Sequence, residues 1–307
     1  MILFQIIPNL LLTFLQLSLA ELSGNLTNVI CLVLILIFGI PHGAVDHKVH
    51  LSTHKASSFK VFIFKYLLII AGYTVIWLLF PRIALVTFLL TATYHFGQEA
   101  LENQKTKESF WLSMVLGIFI VFAPLLFHYS EAKAFLDIIA PDFFPILSDQ
   151  TSTLISGFIV LLTMGVMVLL RMIKWLGRAQ FLNLLLFAGI LVAINLVFNF
   201  LVAFTIYFIF FHSLNAFKHQ YTWLAQNKEG YTLKSFIKDL LGFSLLAIFG
   251  LVFLLLVLGA QTSNQLVSYF FILTSIITLP HAITLDQFYK IKKSKTISLA
   301  QNRIESI

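Results

Sequence analysis

Long apolar segments follow one another along almost the whole chain, and they constrain the fold more than any other feature. Of the 307 residues, 59% are hydrophobic and only 11% are charged, whereas about 25% are charged in an ordinary soluble domain. A helix that crosses the hydrocarbon of a bilayer needs roughly 20 mostly apolar residues. The sequence therefore predicts an all-α fold, a polytopic transmembrane helical bundle forming one integral membrane domain over residues 1–307. We expect about ten spans, near residues 3–20, 27–47, 59–80, 83–101, 110–128, 152–172, 181–199, 200–218, 235–259 and 266–289.

Two of these segments need a closer interpretation. The seventh and eighth run together, and we divide them near Asn199 because a continuous stretch of roughly forty apolar residues is twice what one span needs. The first segment ends in Ser18-Leu19-Ala20, which resembles a signal-peptide cleavage site. It lacks a basic n-region and is long for an apolar h-region, so we expect a retained helix.

The charges support this division and give an orientation. If the N-terminus is cytoplasmic, the inner loops hold 18 of the 20 lysines and arginines, and the outer loops hold only Arg82 and Lys133. Such a bias is the positive-inside pattern, and it predicts that both termini are cytoplasmic in a multi-pass protein of the inner (plasma) membrane. No basic run alternates with aromatic residues, so nucleic-acid binding is not indicated. The single cysteine, Cys31, excludes an intrachain disulfide and a cysteine-based metal site.

Four of the nine histidines lie inside predicted spans that all run from outside to inside: His42, His95, His212 and His281. Each precedes the first inner-loop charge by about 6 to 10 residues, which places it roughly 9–15 Å from the cytoplasmic end of its helix. Ionisable groups within a bilayer are costly and usually face the bundle interior, and neutral imidazole is a ligand for iron, copper, zinc or nickel. The common depth predicts one intramembrane metal site near the cytoplasmic face. The alternative is that each histidine hydrogen-bonds a neighbouring helix.

Carboxylates accompany two of these histidines. Asp46 follows His42 by four residues and Glu99 follows His95 by four, so each pair shares a helix face. A carboxylate that accepts the second N–H of a ligating histidine fixes its tautomer, and we predict this supporting role in catalysis for Asp46 and Glu99. The alternative is that both pair with nearby lysines at the membrane interface. His47 points away from the face that carries Asp46.

Proline and glycine flank the histidines. Pro41 and Pro280 each precede one and free a backbone carbonyl, which membrane helices tolerate where they line a cavity. Gly43 and Gly97 each follow one, and would either let a bulky group approach the backbone or let two helices pack closely.

Four short motifs occur in order along the chain: Pro41-His42-Gly43-Ala44-Val45-Asp46-His47, Tyr94-His95-Phe96-Gly97, Phe211-His212-Ser213 and Leu279-Pro280-His281. Together they resemble the Brp/Blh membrane family of bacterial and archaeal β-carotene 15,15′-dioxygenases, over residues 39–288. The resemblance implies iron-dependent cleavage of the central 15,15′ double bond of β-carotene to two retinals. Fe²⁺ would be the cofactor, O2 the co-substrate and membrane lipid the surroundings. A retinal-binding rhodopsin would be a functional partner.

The resemblance also assigns residues. His42, His95 and His212 match ligand positions of the family. The family often has a histidine four residues after the Phe-His-Ser histidine, where this chain has Ala216. His281 matches the late Pro-His motif, so we expect it to be the fourth metal ligand, with His219 as the alternative.

Two other functions use the same residues. A transporter for a metal ion or protons would use the histidines and carboxylates as a relay, although no matching line of ionisable groups continues through the outer half of the spans. An electron carrier would bind a haem between two facing histidines.

Overall fold

The computed structural model describes residues 24–54, 58–103 and 109–305, with side chains as far as residue 293. Within these ranges every regular element is a helix. The all-α prediction is confirmed. The elements in chain order are α1 (Gly24–Gly43), α2 (Asp46–Thr53), α3 (Phe59–Leu79), α4 (Pro81–Asn103), α5 (Phe110–Phe127), α6 (Tyr129–Ile139), α7 (Asp149–Met172), α8 (Arg178–Val197), α9 (Phe200–Tyr207), a π-helix (Phe208–Ser213), α10 (Leu214–Asn227), α11 (Leu233–Leu258) and α12 (Ser263–Glu305).

Eight helical stretches of the described chain are long and apolar enough to cross a membrane. They match eight of the ten predicted spans. The span predicted at 3–20 lies outside the described residues. The span predicted at 83–101 forms α4, whose buried Thr93, Gln98 and Glu99 make it less apolar than the others. The cytoplasmic location of the termini remains a prediction.

The predicted division near Asn199 is confirmed. Helix α8 ends at Val197, and the side-chain oxygen of Asn199 accepts a hydrogen bond from the backbone N–H of Val202 at 3.1 Å. This N-cap satisfies a donor that the first turn of α9 would otherwise leave free. Glu131 accepts from the backbone N–H of Phe200 at 3.0 Å and satisfies a second one.

The predicted outer loop at 129–151 contains a helix that the sequence analysis missed. Helix α6 buries Tyr129, Ala132 and Leu136 along one face. The hydroxyl of Ser268 on α12 donates to the carbonyl of Phe135 at 2.9 Å. Helix α6 therefore packs on the bundle instead of extending away from it.

Two glycines bring α4 and α5 into close contact. A Cβ atom added to Gly97 would lie 1.8 Å from the backbone oxygen of Ser113, and one added to Gly117 would lie 1.7 Å from the backbone oxygen of Thr93. Of the two roles considered for Gly97, the structure shows close helix packing, which small residues permit in membrane bundles. This packing fixes the position of α4 and of the histidine it carries.

We therefore expect Gly97→Ala to destabilise the protein. The obstruction is backbone, which cannot rotate away, so α4 and α5 must separate, at a cost of about 1–3 kcal/mol or more. Thermal unfolding in detergent measures the effect. Gly157→Ala on α7 is the matched control because an added Cβ there meets nothing within 4 Å, and it should unfold at the wild-type temperature or above. Equal unfolding temperatures for the two variants would contradict this packing.

Candidate metal centre

Four imidazole rings meet inside the bundle and form a closed ring of neighbours. The centroid distances are 4.8 Å from His42 to His212, 5.2 Å from His212 to His95, 5.4 Å from His95 to His281 and 4.6 Å from His281 to His42. Each neighbouring pair is close to perpendicular, with interplanar angles of 82–86°. None of the four side chains is more than 6% exposed. The histidines that share one predicted depth thus lie together in space.

A break between α1 and α2 places His42. Helix α1 ends at Gly43, just after Pro41, and α2 begins at Asp46. Because the helix stops there, the carbonyl of His42 is one of the end groups without an intrahelical partner. The side-chain amide of Gln220 on α10 donates to this carbonyl at 2.8 Å. The bond fixes the end of α1 to α10.

The π-helix places His212. Single π-turns inside α-helices are rare and frequently mark functional sites, and here the π-turn shifts the register just where the histidine occurs. It packs against α1 at Gly39, where an added Cβ would lie 2.5 Å from the ring of Phe208. This close approach brings Nε2 of His212 to 3.2 Å from Nε2 of His42.

Two carboxylates lie behind two of the histidines. Asp46 accepts a hydrogen bond from Nδ1 of His281, with oxygen distances of 2.9 and 3.0 Å. A carboxylate oxygen of Glu99 contacts Nδ1 of His212, without the alignment of a hydrogen bond. All four groups are buried.

The partners of the carboxylates differ from the predicted ones. The sequence paired Asp46 with His42 and Glu99 with His95, by their spacing of four residues. The helix break separates Asp46 from the face of His42, so Asp46 reaches across to α12. Glu99 does share a face with His95, but both side chains point at His212 on the π-helix. Lys48, the alternative partner of Asp46, pairs with Asp239 instead. Lys105, the alternative partner of Glu99, lies outside the described residues.

Several nitrogen atoms of the four rings are free to bind a metal ion. Nε2 of His281 and both nitrogens of His95 are buried and have no hydrogen-bond partner among the described residues, a state that costs free energy unless something binds them. When His281 donates Nδ1–H to Asp46, its Nε2 carries a free lone pair. Two nitrogens bound at tetrahedral or right-angle positions of one ion, by bonds of roughly 2.1 Å, lie about 3.0–3.4 Å apart. The 3.2 Å between Nε2 of His42 and Nε2 of His212 falls in this range and is also the length of a hydrogen bond between the two rings.

Among the described residues, one group of three or more ligand atoms lies within 4.8 Å of one another, and it is formed by His95, Glu99 and His212. It shares two members with the four histidines. In that arrangement Glu99 would itself bind the ion. In the four-histidine arrangement, Nε2 of His212 binds the ion and Nδ1 faces Glu99. A ligating imidazole usually binds the metal with one nitrogen and a carboxylate with the other. We therefore favour it.

The remaining histidines lie elsewhere. Nδ1 of His219 is 3.4 Å from the hydroxyl of Tyr289, and the described structure shows no ring contact between His219 and the four clustered histidines. His47 packs between aromatic rings of α3 and α11. His50 and His54 stack on each other at 4.4 Å.

Sequence reasoning missed two polar side chains next to the site. Gln220 follows His212 by eight residues, about two helical turns, and this spacing was its only signal. Tyr66 on α3 donates its hydroxyl to Asp46 at 3.3 Å. A tyrosine inside an apolar span is too common to single out. Both act across helices, which a pattern along one segment does not report.

A cavity of about 840 Å³ adjoins the four histidines. Most of its wall is aliphatic or aromatic, and it extends along the bundle to α6. Gly43 lies in this wall beside the site, where an added Cβ would be 3.4 Å from Nδ1 of His281. The site therefore opens into an apolar space. Aromatic wall residues include Trp77, Phe88, Phe135, Phe204, Phe208 and Phe271.

Comparison with known families gives one match. The family model described as Beta-carotene 15,15'-dioxygenase matches residues 33–289, a range that includes all four histidines and both carboxylates. No curated protein and no solved structure matches the chain.

The Gln220 bond yields a stability prediction. We expect Gln220→Leu to destabilise the fold by about 1–3 kcal/mol, because the buried carbonyl of His42 would lose its donor. Thermal unfolding of the purified protein measures this. Gln226→Leu, at an exposed position of the same helix, should change stability by no more than about 0.5 kcal/mol. Wild-type stability of Gln220→Leu would show that the bond does not hold the end of α1.

Proposed function

Because the chain belongs to the beta-carotene 15,15′-dioxygenase family, we propose that it cleaves the central 15,15′ double bond of β-carotene with O2 and releases two molecules of retinal. The two atoms of O2 balance the reaction, since each carbon of the broken bond gains one oxygen atom. One observation carries the proposal. A buried ring of four histidines opens into a long apolar cavity inside a membrane bundle.

His42, His95, His212 and His281 would hold Fe²⁺ in this proposal. Imidazole suits iron as well as copper, zinc and nickel, and the choice of iron rests on the dioxygenase family. When bound, the iron would supply the oxygen chemistry that no side chain provides. The four helices that carry the ligands come from distant parts of the chain, so the site forms only in the folded bundle.

The carboxylates orient the ligands. Asp46 holds the ring of His281 with Nε2 directed inward, and Tyr66 in turn holds Asp46. Glu99 occupies the equivalent place behind His212. Such partners fix the tautomer and raise the basicity of a ligating imidazole. No acid or base that touches the substrate is required.

The cavity would align the polyene and exclude water. A long hydrocarbon has no polar group for hydrogen bonding, so its position depends on shape and contact with the apolar wall. Positioning the central double bond beside the histidines selects the 15,15′ bond over its neighbours. The same wall keeps water from the reacting atoms.

The distribution of ionisable groups favours an enzyme over a transporter. The histidine and aspartate residues of the cavity wall are His42, Asp46, His47, His95, His212 and His281. All of them lie in the half of the bundle that we predict to be cytoplasmic, and the described wall beyond them contains no histidine or carboxylate to continue a relay. The electron-carrier alternative has less support, because the matching family model is that of a dioxygenase.

The apolar helices place this chemistry in a membrane, for which we propose the plasma membrane. Membrane lipid would supply the carotene. A retinal-binding rhodopsin would consume the product.

Expression in bacteria that already make β-carotene tests the activity. We expect the intact chain to deplete carotene and accumulate retinal, measured by chromatography of extracted pigments. His42→Ala and His281→Ala should abolish retinal formation and lower the iron content of the purified protein, because each removes a proposed ligand.

His219→Ala distinguishes the two candidates for the fourth ligand. It should retain iron and retinal formation, since His219 lies beside Tyr289. If His219→Ala loses iron while His281→Ala retains it, the fourth ligand is misassigned. If carotene persists with folded, iron-loaded wild-type protein, the proposed reaction is wrong.

Removing the support of a ligand should weaken metal binding without abolishing it. We expect Asp46→Asn to lower iron affinity by about 10–100-fold, a typical effect of losing such a partner. Competition with a chelator of known affinity measures the change. Asp137→Asn in α6 is the control, because this carboxylate pairs with Lys133 far along the chain from the histidines. Equal iron affinities of the two variants would show that Asp46 does not support a metal ligand.

A further inference from the structure

The wall of the cavity is exposed on one side only. Six of its residues are exposed on the outside of the protein, and every one of them belongs to α3 or α11. The other described wall residues, contributed by the remaining helices, are buried or half-buried. A side chain that lines a cavity and also faces outward marks an opening. The six are Leu67, Phe243, Leu246, Leu254, Val257 and Leu258.

Helices α3 and α11 flank this opening without packing along each other. Helix α3 packs on α4 and α12, whereas α11 packs on α1 and α12. They approach each other at one end, where the ring of His47 lies 5.6 Å from that of Phe59 and 4.9 Å from that of Phe243. These three rings close the gap at the end nearest the histidines. The gap beyond them stays open.

The residues along the gap are apolar, and those in the middle have the smallest side chains. Phe243, Ala247, Gly250 and Leu254 follow one another at intervals of three or four residues, so they form one stripe of α11. Gly250 lies near the centre of this stripe and lines the cavity. An added Cβ on Gly250 would meet nothing within 4 Å. Ala247 and Gly250, the smallest residues of the stripe, therefore leave the gap between the helices unfilled.

The opening faces hydrocarbon. Leu246 is 67% exposed, Val257 65% and Leu67 56%, and both helices are candidate membrane spans. Exposed apolar side chains at these positions contact lipid tails rather than water. A molecule that passes between the helices would thus leave the bilayer without crossing an aqueous phase.

We infer that the gap between α3 and α11 is a lateral portal, through which a long, lipid-dissolved hydrocarbon moves from the bilayer into the histidine-lined cavity. The identity of this hydrocarbon as β-carotene rests on the proposed function. Gly250 sets the width of the portal, and Leu67 and Leu254 form its rims. Entry from lipid removes the need to desolvate the polyene through water, where it is insoluble.

Gly250→Trp tests the portal by filling it. The purified protein is placed in phosphatidylcholine vesicles that contain β-carotene. Two rates are measured: the initial rate at which the protein takes up carotene without oxygen, and the initial rate of retinal formation with oxygen. We expect Gly250→Trp to reduce both by about tenfold or more, which corresponds to an entry barrier raised by roughly 1.4 kcal/mol.

Gly242→Trp is the matched control. Gly242 lies on the same helix, is exposed, has nothing within 4 Å of an added Cβ and does not line the cavity. It should match the wild type in both measurements. Iron content and unfolding temperature show whether each variant is folded. If Gly250→Trp fails there, Leu254→Trp replaces it at the rim.

The outcomes separate the portal from the reaction. If the folded portal variant takes up carotene and forms retinal as fast as Gly242→Trp, the portal is wrong and the reaction stands. If the wild type takes up carotene and forms no retinal while Gly250→Trp takes it up at least tenfold more slowly, the portal stands and the reaction is wrong.

Discussion

The burial of polar groups within hydrocarbon is the constraint on which the rest of this structure depends. Each buried imidazole or carboxylate must find a partner, because the bilayer offers no water to replace one. The pairs of His281 with Asp46 and of His212 with Glu99 meet part of this requirement. Each pair joins helices that are far apart in the chain. The nitrogens that face one another within the ring of four histidines are the ones we propose to bind iron.

Several local departures from a regular helix serve this arrangement. The break after Gly43 turns His42 inward and frees a carbonyl that Gln220 binds. The π-turn brings His212 to His42, and Gly39 leaves room for it. On the opposite side, Gly97 and Gly117 draw α4 against α5 and so fix His95. A regular, uninterrupted bundle of these segments would not bring the four rings together.

The positions of the spans followed from the sequence because hydrocarbon thickness sets a length that apolar segments must meet. The meeting of the four histidines also followed from the sequence, since each lies at a similar distance from the end of its span. The partners of Asp46 and Glu99 did not follow. Residues four apart share a face only within an unbroken helix, and Asp46 lies beyond a break. The π-turn, the helix α6 and the roles of Gln220 and Tyr66 depend on contacts between helices, which a pattern within one segment does not contain.

The four-histidine ring and the cavity have complementary properties. The ring is polar and buried, whereas the cavity is apolar and, in our inference, opens between α3 and α11. A membrane enzyme acting on a hydrocarbon needs both, because a metal must be held firmly while the substrate must arrive from lipid. Helix α11 only lines the cavity. Helix α4 both carries His95 and lines the cavity.

X-ray diffraction at the iron absorption edge, from crystals of the iron-loaded protein, would locate the metal directly. We predict a single anomalous peak among the imidazoles of His42, His95, His212 and His281, with Asp46 and Glu99 outside the ligand set. A peak within bonding distance of His95, Glu99 and His212, but not of His42 and His281, would contradict this assignment. The absence of any peak between the four rings in fully loaded protein would contradict the metal centre itself.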